Sequence, residues 1–338
     1  MPINSENQVR EMCNLMNKIK GLLIYSWLLA APQAALAQSD GFPAKPIRIL
    51  IGFAPGGSLD LISRMISPKF GELLGQQIIV DNRPGASGNI GSEIVMRAAP
   101  DGYTLLGITL PFVVNPLLAV RAPYHPVNDF TGVGMIGHSP SLVAVHPSVP
   151  VHNIKELLAM ARARPGQINY ASAGIGTNPH IAGELFNHLG KTRLIPVHFK
   201  GGGPGLIAAM SGEVSTTFTN IAETSGFVRA QKLRALAVTS PQRSRTFPQI
   251  PTVAESGLPG YEFVTWFGLT TPAKTPARVM TQLNDALKKG LATPEQQKLF
   301  NDRGIEVQTS TPEEFAAHVR AESERWSSVV RERGMRAE

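Results

Sequence analysis

Pro46-Ile-Arg-Ile-Leu-Ile-Gly-Phe53, followed by Ala54-Pro-Gly-Gly-Ser58 and Leu59-Asp60, is the stretch whose reading decides the fold class. Residues 47–53 are mostly β-branched or apolar and predict a strand, the Gly/Pro/Ser cluster at 54–58 predicts a turn, and Leu61, Ile62, Met65, Ile66 and Phe70 recur at helical spacing on one face. Strand, turn and amphipathic helix make one β-loop-α unit, and the same grammar recurs downstream. Residues 77–80 predict a second strand, followed by the loop 82–89 and a helix reaching Ala98, and residues 104–108 predict a third. After a break at Ser139-Pro140, strands are expected at 142–145, 168–171, 194–199, 214–219 and 233–239, with helices at 154–163, after Pro179 and through Met210. A strand near 263–271 precedes a tail, 276–330, that reads as mostly helical. This alternation predicts an α/β protein built on parallel sheets flanked by helices.

The chain has 338 residues, beyond the roughly 250 at which a single core tends to split, so two lobes are expected. The organisation that fits the runs has the chain crossing twice, near Pro140 and Trp266. Residues 38–140 with 267–338 then form lobe 1, and residues 141–266 form lobe 2. Hydrophobic residues make up 43% and charged residues 17%, and the glycines and prolines follow no three-residue period, which excludes disordered and fibrous classes. No tandem repeat is visible, which argues against a solenoid. The formal charge of +7 invites a nucleic-acid reading, but the longest basic run is Lys288-Lys289 and no basic strip with interleaved aromatics occurs. A modest positive field favours encounter with small anions instead.

The first residues read as an address. Lys18 and Lys20 precede an uncharged stretch from Gly21 to Ala31 that is too short to span a bilayer, and Ala35-Leu36-Ala37 follows. A secretory signal peptide over residues 1–37 is expected, with cleavage after Ala37, translation starting at Met1, Met12 or Met16, and an exported product. Its removal takes away Cys13, the only cysteine in the sequence, so no disulfide, thiol nucleophile or thiolate metal site is expected in the exported product.

Four Gly-rich loops join strands to helices: 55–58, 84–89, 172–177 and 200–203. In an open parallel sheet such loops face one crevice, and the unpaired N–H groups of the helix N-termini favour an anion there. Taken singly, each loop is also compatible with an ordinary connection in which Ser or Thr caps a helix. Asp60, in the first turn of its helix, is favoured by the dipole with or without a ligand. His180, one turn into the helix after Pro179, suits a packed side chain or a surface donor as well as a ligand contact. Asn220 could orient a ligand or end a turn, and Phe53 and Trp266 could wall an apolar part or belong to the core. Enzyme motifs fail on inspection. The Gly-Lys-Thr at 190–192 lacks a P-loop glycine at Leu185, Pro179 stands where a dinucleotide fingerprint needs glycine, no Gly-x-Ser-x-Gly occurs, and the eight histidines include no i, i+4 pair. No catalytic residue, cofactor or metal is expected.

Beyond the single loops, the order of motifs resembles the Bug, or tripartite tricarboxylate transporter, family of periplasmic solute-binding receptors. The resemblance runs through Phe53-Ala-Pro-Gly-Gly-Ser-Leu-Asp60, Val80-Asp-Asn-Arg-Pro-Gly-Ala-Ser-Gly-Asn-Ile-Gly91, Ala99-Pro-Asp-Gly-Tyr-Thr104 and Asn169-Tyr-Ala-Ser-Ala-Gly174. It continues in Lys200-Gly-Gly, Leu233-Arg-Ala-Leu-Ala-Val-Thr-Ser240, Ile250-Pro-Thr-Val-Ala-Glu255 and Pro259-Gly-Tyr-Glu262. It implies a two-lobed "Venus flytrap" of the type II periplasmic binding-protein fold that closes on a small carboxylate held mainly by backbone, hydroxyls and water. By motif, Phe53, Ala54, Gly57 and Ser58 would serve the first lobe, and Ser172, Ala173, Gly174, Thr177, His180 and Gly202 the second. Asp60, Gly88, Thr109 and Asn220 complete the candidate set, although Leu110-Pro-Phe112 departs from the family pattern after Thr109. The implied partners are an organic, amino or aromatic acid and the membrane subunits of a tripartite tricarboxylate-type transporter, or alternatively a sensor kinase, with the receptor itself a monomer.

Overall fold

The computed structural model describes residues 41–119 and 122–333. The expected leader, with Cys13 and the cleavage point after Ala37, lies outside the described residues. In chain order the elements are β1 (Ile47–Ile51), α1 (Ser58–Leu74), β2 (Ile78–Asn82), α2 (Asn89–Met96), β3 (Thr104–Ile108), α3 (Pro111–Leu118), β4 (Phe130–Val145), α4 (Ile154–Ala163), β5 (Asn169–Ser172) and α5 (Asn178–Gly190). They continue with β6 (Ile195–His198), α6 (Gly202–Ser211), β7 (Thr216–Asn220), α7 (Ile221–Arg229), β8 (Arg234–Val238), β9 (Val264–Pro272), α8 (Ala277–Leu291), α9 (Pro294–Asp302), β10 (Glu306–Val307) and α10 (Pro312–Arg333).

The strands form a mixed sheet in the order β2-β1-β3-β9-β4-β7-β5-β6, with β8 and β10 also pairing on β4. β1 runs parallel to β2 and β3, and β5 runs parallel to β6 and β7. β9 and β4 lie between these two parallel sets, β9 antiparallel to β3 and β4 antiparallel to all its partners. Its first part, from Phe130 to Pro140, pairs β9, and its last part, from Ser141 to Val145, lies between β7 and β8.

The sequence places a break at Ser139-Pro140, whereas β4 runs through it as one 16-residue strand. The reason is that the ladder changes partners there. β10 pairs only Gly137 and His138, and β7 and β8 pick up only from Ser141 and Leu142, so the missing N–H of Pro140 leaves no bond unmade on that side. Close neighbours require the glycines of residues 132–137. A Cβ on Gly132 would stand 2.8 Å from Cδ1 of Phe315, and one on Gly137 would meet the carbonyl of Glu306.

α3 is a second difference, because Pro111-Phe-Val-Val-Asn-Pro116 forms a helix despite its two prolines. Pro111 sits in the first turn, where no N–H partner is needed. Pro116 cannot donate to the carbonyl of Phe112, and the hydroxyl of Tyr124 donates to it instead at 3.0 Å. Phe112, Tyr124 and Phe130 then pack as a ring cluster with centroids 5.0 to 5.6 Å apart.

Apolar burial is continuous along the sheet. Ile47, Ile49 and Ile51 of β1 are fully buried under α1, and Val143, Val145, Tyr170 and Phe218 form the corresponding floor beneath α4 and α5. α8 turns Val279, Met280, Leu283 and Leu287 inward and carries a buried Asn284, whose Nδ2 donates to the carbonyls of Val133 and Ser310. The functional consequence lies in the strand ends. β1, β3, β5, β6 and β7 each run directly into a helix, and Ser58, Pro111, Asn178, Gly202 and Asn220, at the beginnings of those helices, line one cleft.

Candidate functional site

Among the described residues that line the cleft no lysine, arginine or histidine is found. Its polar surface is built from helix beginnings. α1 starts at Gly57 with extended backbone (φ −79°, ψ 167°) and no side-chain cap, and α5 and α6 start at Thr177 and Gly201, also without a side-chain cap. Elsewhere in the chain, Asn153 and Thr293 cap α4 and α9. Three helix N-termini therefore keep their first-turn N–H groups for something other than their own side chains.

The loops from the two parallel sets lock together around this space. Ala54 N–H donates to the carbonyl of Lys200 at 3.2 Å, and the Asn178 amide donates to Thr109 Oγ1 at 3.3 Å. Gly201 adopts φ +142°, a conformation open to glycine, and a Cβ there would stand 3.0 Å from the nitrogen of Ala54.

Of the expected site residues, Phe53, Ala54, Gly57, Ser58, Asp60, Thr109, Ala173, Thr177, Gly202 and Asn220 line this cleft. Several have their polar atoms already committed. Asp60 accepts from the Gly56 N–H at 3.0 Å and from Arg64 Nε at 3.0 Å. Burial pushes its carboxyl upward, but the bonds from Arg64, Gly56 and Asn82 more than offset this and hold it below the usual carboxylate range. Asn220 caps α7, its Oδ1 accepting from Ala222 N–H at 2.9 Å while its Nδ2 donates to the Ser139 carbonyl at 3.3 Å.

The remaining candidates, Gly88, Ser172, Gly174 and His180, stand behind the lining and shape it. Gly88 lies against the Phe53 ring, to which a Cβ would approach within 3.0 Å. Ser172 Oγ accepts from Gly174 N–H at 3.2 Å and contacts His198 Nδ1 at 3.0 Å. His180 Nδ1 accepts the Gly176 N–H at 3.2 Å, which fixes the loop leading into α5. Burial, assisted by His198, pushes the His180 imidazole down to about 4, so it is neutral at pH 7. Trp266, a possible ligand wall by sequence, is elsewhere: it packs on Phe315 and His318, and its Nε1 donates to Glu322 at 3.2 Å.

The residue that the sequence reading missed is Glu223. It stands three positions after Asn220, a spacing that reads as a helix-capping pair. Its side chain turns across the cleft instead. Oε1 accepts from the N–H of Ser58 at 2.8 Å, Oε2 lies against Gly202 without a hydrogen-bond partner, and the residue is only 8% exposed. Burial dominates over the bonds from Ser58 and pushes this carboxyl up to about 7.

Strand order, helix starts and cleft define the α/β architecture of periplasmic solute-binding proteins. The structure of the periplasmic binding protein BugD superposes with a TM-score of 0.85 at 30% identity, covering 88% of this chain and 100% of that one. The R. palustris protein Rpa4515 with adipate superposes at 0.84 (32% identity, 87% and 99% covered), and MatC from Rhodopseudomonas palustris with bound malate at 0.81 (31%, 86% and 100%). Protein BugT of Bordetella pertussis is 32% identical over 316 residues, 93% of this chain and 96% of its own. The family model described as tripartite tricarboxylate transporter family receptor matches residues 62–335, and the chain belongs to that family.

Proposed function

We propose that the protein is a periplasmic receptor that captures a small carboxylate in the cleft between the β1–β3 and β5–β7 sets and delivers it to the membrane subunits of a tripartite tricarboxylate-type transporter. The observation that carries this reading is the convergence of three helix N-termini without side-chain caps, α1 from one set and α5 and α6 from the other, on a cleft whose lining includes no cationic side chain. Backbone donors at helix starts solvate carboxylate oxygens without a counter-ion. Drawn from both sets, they add to the direct bonds between the loops when a ligand bridges them, and so favour closure further. The adipate and malate in the related structures support this chemistry.

In this reading residues 38–140 with 267–338 act as one lobe and residues 141–266 as the other, with β4 and β9 crossing between them. Residues 1–37 direct export and are removed after Ala37. The protein binds and releases its ligand unchanged. The direct contacts are made by Phe53, Ala54, Gly57, Ser58, Thr109, Ala173, Thr177 and Gly202, while Asp60, Gly88, Ser172, Gly174, His180 and Asn220 hold those contacts in place. The test is a thermal-shift screen of the purified protein against dicarboxylates, tricarboxylates, amino acids and aromatic acids. A rise in Tm with at least one carboxylate is expected, and no rise with any would refute the reading.

A further inference from the structure

We propose that Glu223 is the specificity-determining residue of this cleft: it brings a fixed carboxylate to the very donors a ligand carboxylate needs, so the cleft takes an anion together with one proton. The inference rests on the carboxylate-receptor reading and deepens it. Its basis is geometric. Glu223 Oε1 occupies the first N–H of α1, and Oε2 lies against Gly202 at the start of α6, buried and unpartnered. Two helix beginnings that would receive a ligand are thus already facing an internal carboxylate.

Among the described residues nothing nearby neutralises it. The other charged residue of the lining, Asp60, has the same sign and is itself paired with Arg64 at 2.9 Å. Of the elements packed against α7, α6 and β7 carry no titratable residue, β4 brings only His138, which faces Glu306 at 3.3 Å, and α1 brings Asp60 and Arg64 nearest the contact. On α7 itself, Arg229 sits over the Phe247 ring at the far end.

An anion entering this cleft meets like charge in a low-dielectric space, where two carboxylates cannot both stay ionised side by side. The relief available is a proton from bulk water. Placed on Oε2, it turns the one unpartnered oxygen into an O–H donor aimed at the ligand, while Oε1 continues to accept from Ser58. The upward displacement of this carboxyl by burial leaves it half-protonated near neutrality, so the uptake costs little there.

The experiment is calorimetric titration of the full protein with succinate, malate and adipate at pH 6, 7 and 8, each in two buffers of different protonation enthalpy. The expected result is uptake of about 0.9 proton per ligand at pH 8 and near 0.1 at pH 6, with Kd weakening about 10-fold per pH unit above pH 7. In Glu223→Gln, whose folding is checked by circular dichroism, uptake vanishes and Kd becomes independent of pH. Binding by the wild-type protein without proton uptake at pH 8 overturns this inference and leaves the receptor reading standing. Uptake that persists in E223Q places the proton on the ligand and also overturns it. Failure of all three probes at every pH overturns this inference, and the wider thermal-shift screen then decides the receptor reading. The proton count on the wild-type protein decides the matter even if the variant misfolds.

Discussion

One oxygen of Asp60 takes the N–H of Gly56 at 3.0 Å while the other holds Arg64 one helical turn away, so the acid in the first turn of α1 is a tie-rod between the preceding loop and its helix. Because its folded-state pKa lies below the unfolded value, its contribution to stability is present at neutral pH and is lost as pH falls through the folded pKa. Asp60→Asn is therefore expected to destabilise the protein by about 2 kcal/mol at pH 7, the scale of a lost charge-assisted hydrogen bond. Thermal melts at pH 7 and pH 3 check this, with the difference from wild type shrinking at the lower pH.

Gly57→Asp separates folding from binding. The backbone at Gly57 is extended and a Cβ there would have only ordinary contacts, 3.7 Å from Gly202 N, so a side chain is tolerated. An aspartate at this position can cap α1, a gain of only about a few tenths of a kcal/mol over glycine, which the like charge of Glu223 opposes. It also puts a negative charge where the ligand's should sit. Retained folding with at least ~100-fold weaker carboxylate binding is expected, given that a like charge at a few ångströms costs several kcal/mol in a partly buried site. Calorimetry and circular dichroism measure the two effects separately.

Glu223 and His180 titrate against each other in stability. The Glu223 carboxyl, raised to about 7, keeps in the folded state a proton that the unfolded chain releases near 4.5, so its effect is loss of stability as pH rises from 4.5 to 7. His180, lowered to about 4, stays neutral while the unfolded chain takes up a proton below 6.5, so its effect is loss of stability as pH falls from 6.5 to 4. Each effect is on the order of 3 kcal/mol at full extent. Chemical denaturation between pH 4 and 8 is expected to expose one slope at a time: Glu223→Gln removes the loss on the alkaline side and steepens the loss on the acid side, and His180→Gln does the reverse.

Gly268→Ala tests packing at the centre of the sheet. A Cβ there would fall on the Phe315 ring, which is fully buried between β4, β9 and α10. A loss of about 1–3 kcal/mol is expected from this overpacking, with little change in ligand affinity because the cleft is lined by other elements. Denaturant melts and binding titrations on the same preparation check both parts.

The Gly-rich strand-to-helix loops were legible in the sequence because each is written locally, as β-branched run, Gly-rich turn and amphipathic helix, and a helix start shows its capping chemistry in consecutive residues. What escaped depends on distant partners. Pro116 is tolerated in α3 because Tyr124, eight positions on, supplies the missing donor. Pro140 is tolerated in β4 because strands from distant parts of the chain change over at that point. Glu223 could be read only as a capping residue, since the Ser58 N–H that captures it is 165 positions away.

β4 runs as one 16-residue strand from its pairing with β9 to its pairing with β7, so in the proposed receptor opening and closing the cleft would wind and unwind a stitched ribbon in place of swinging on slack chain. Such a ribbon would act as a torsion bar. Its stiffness would come from the twist preference of paired backbone, and release of the proposed ligand would need no refolding of a linker.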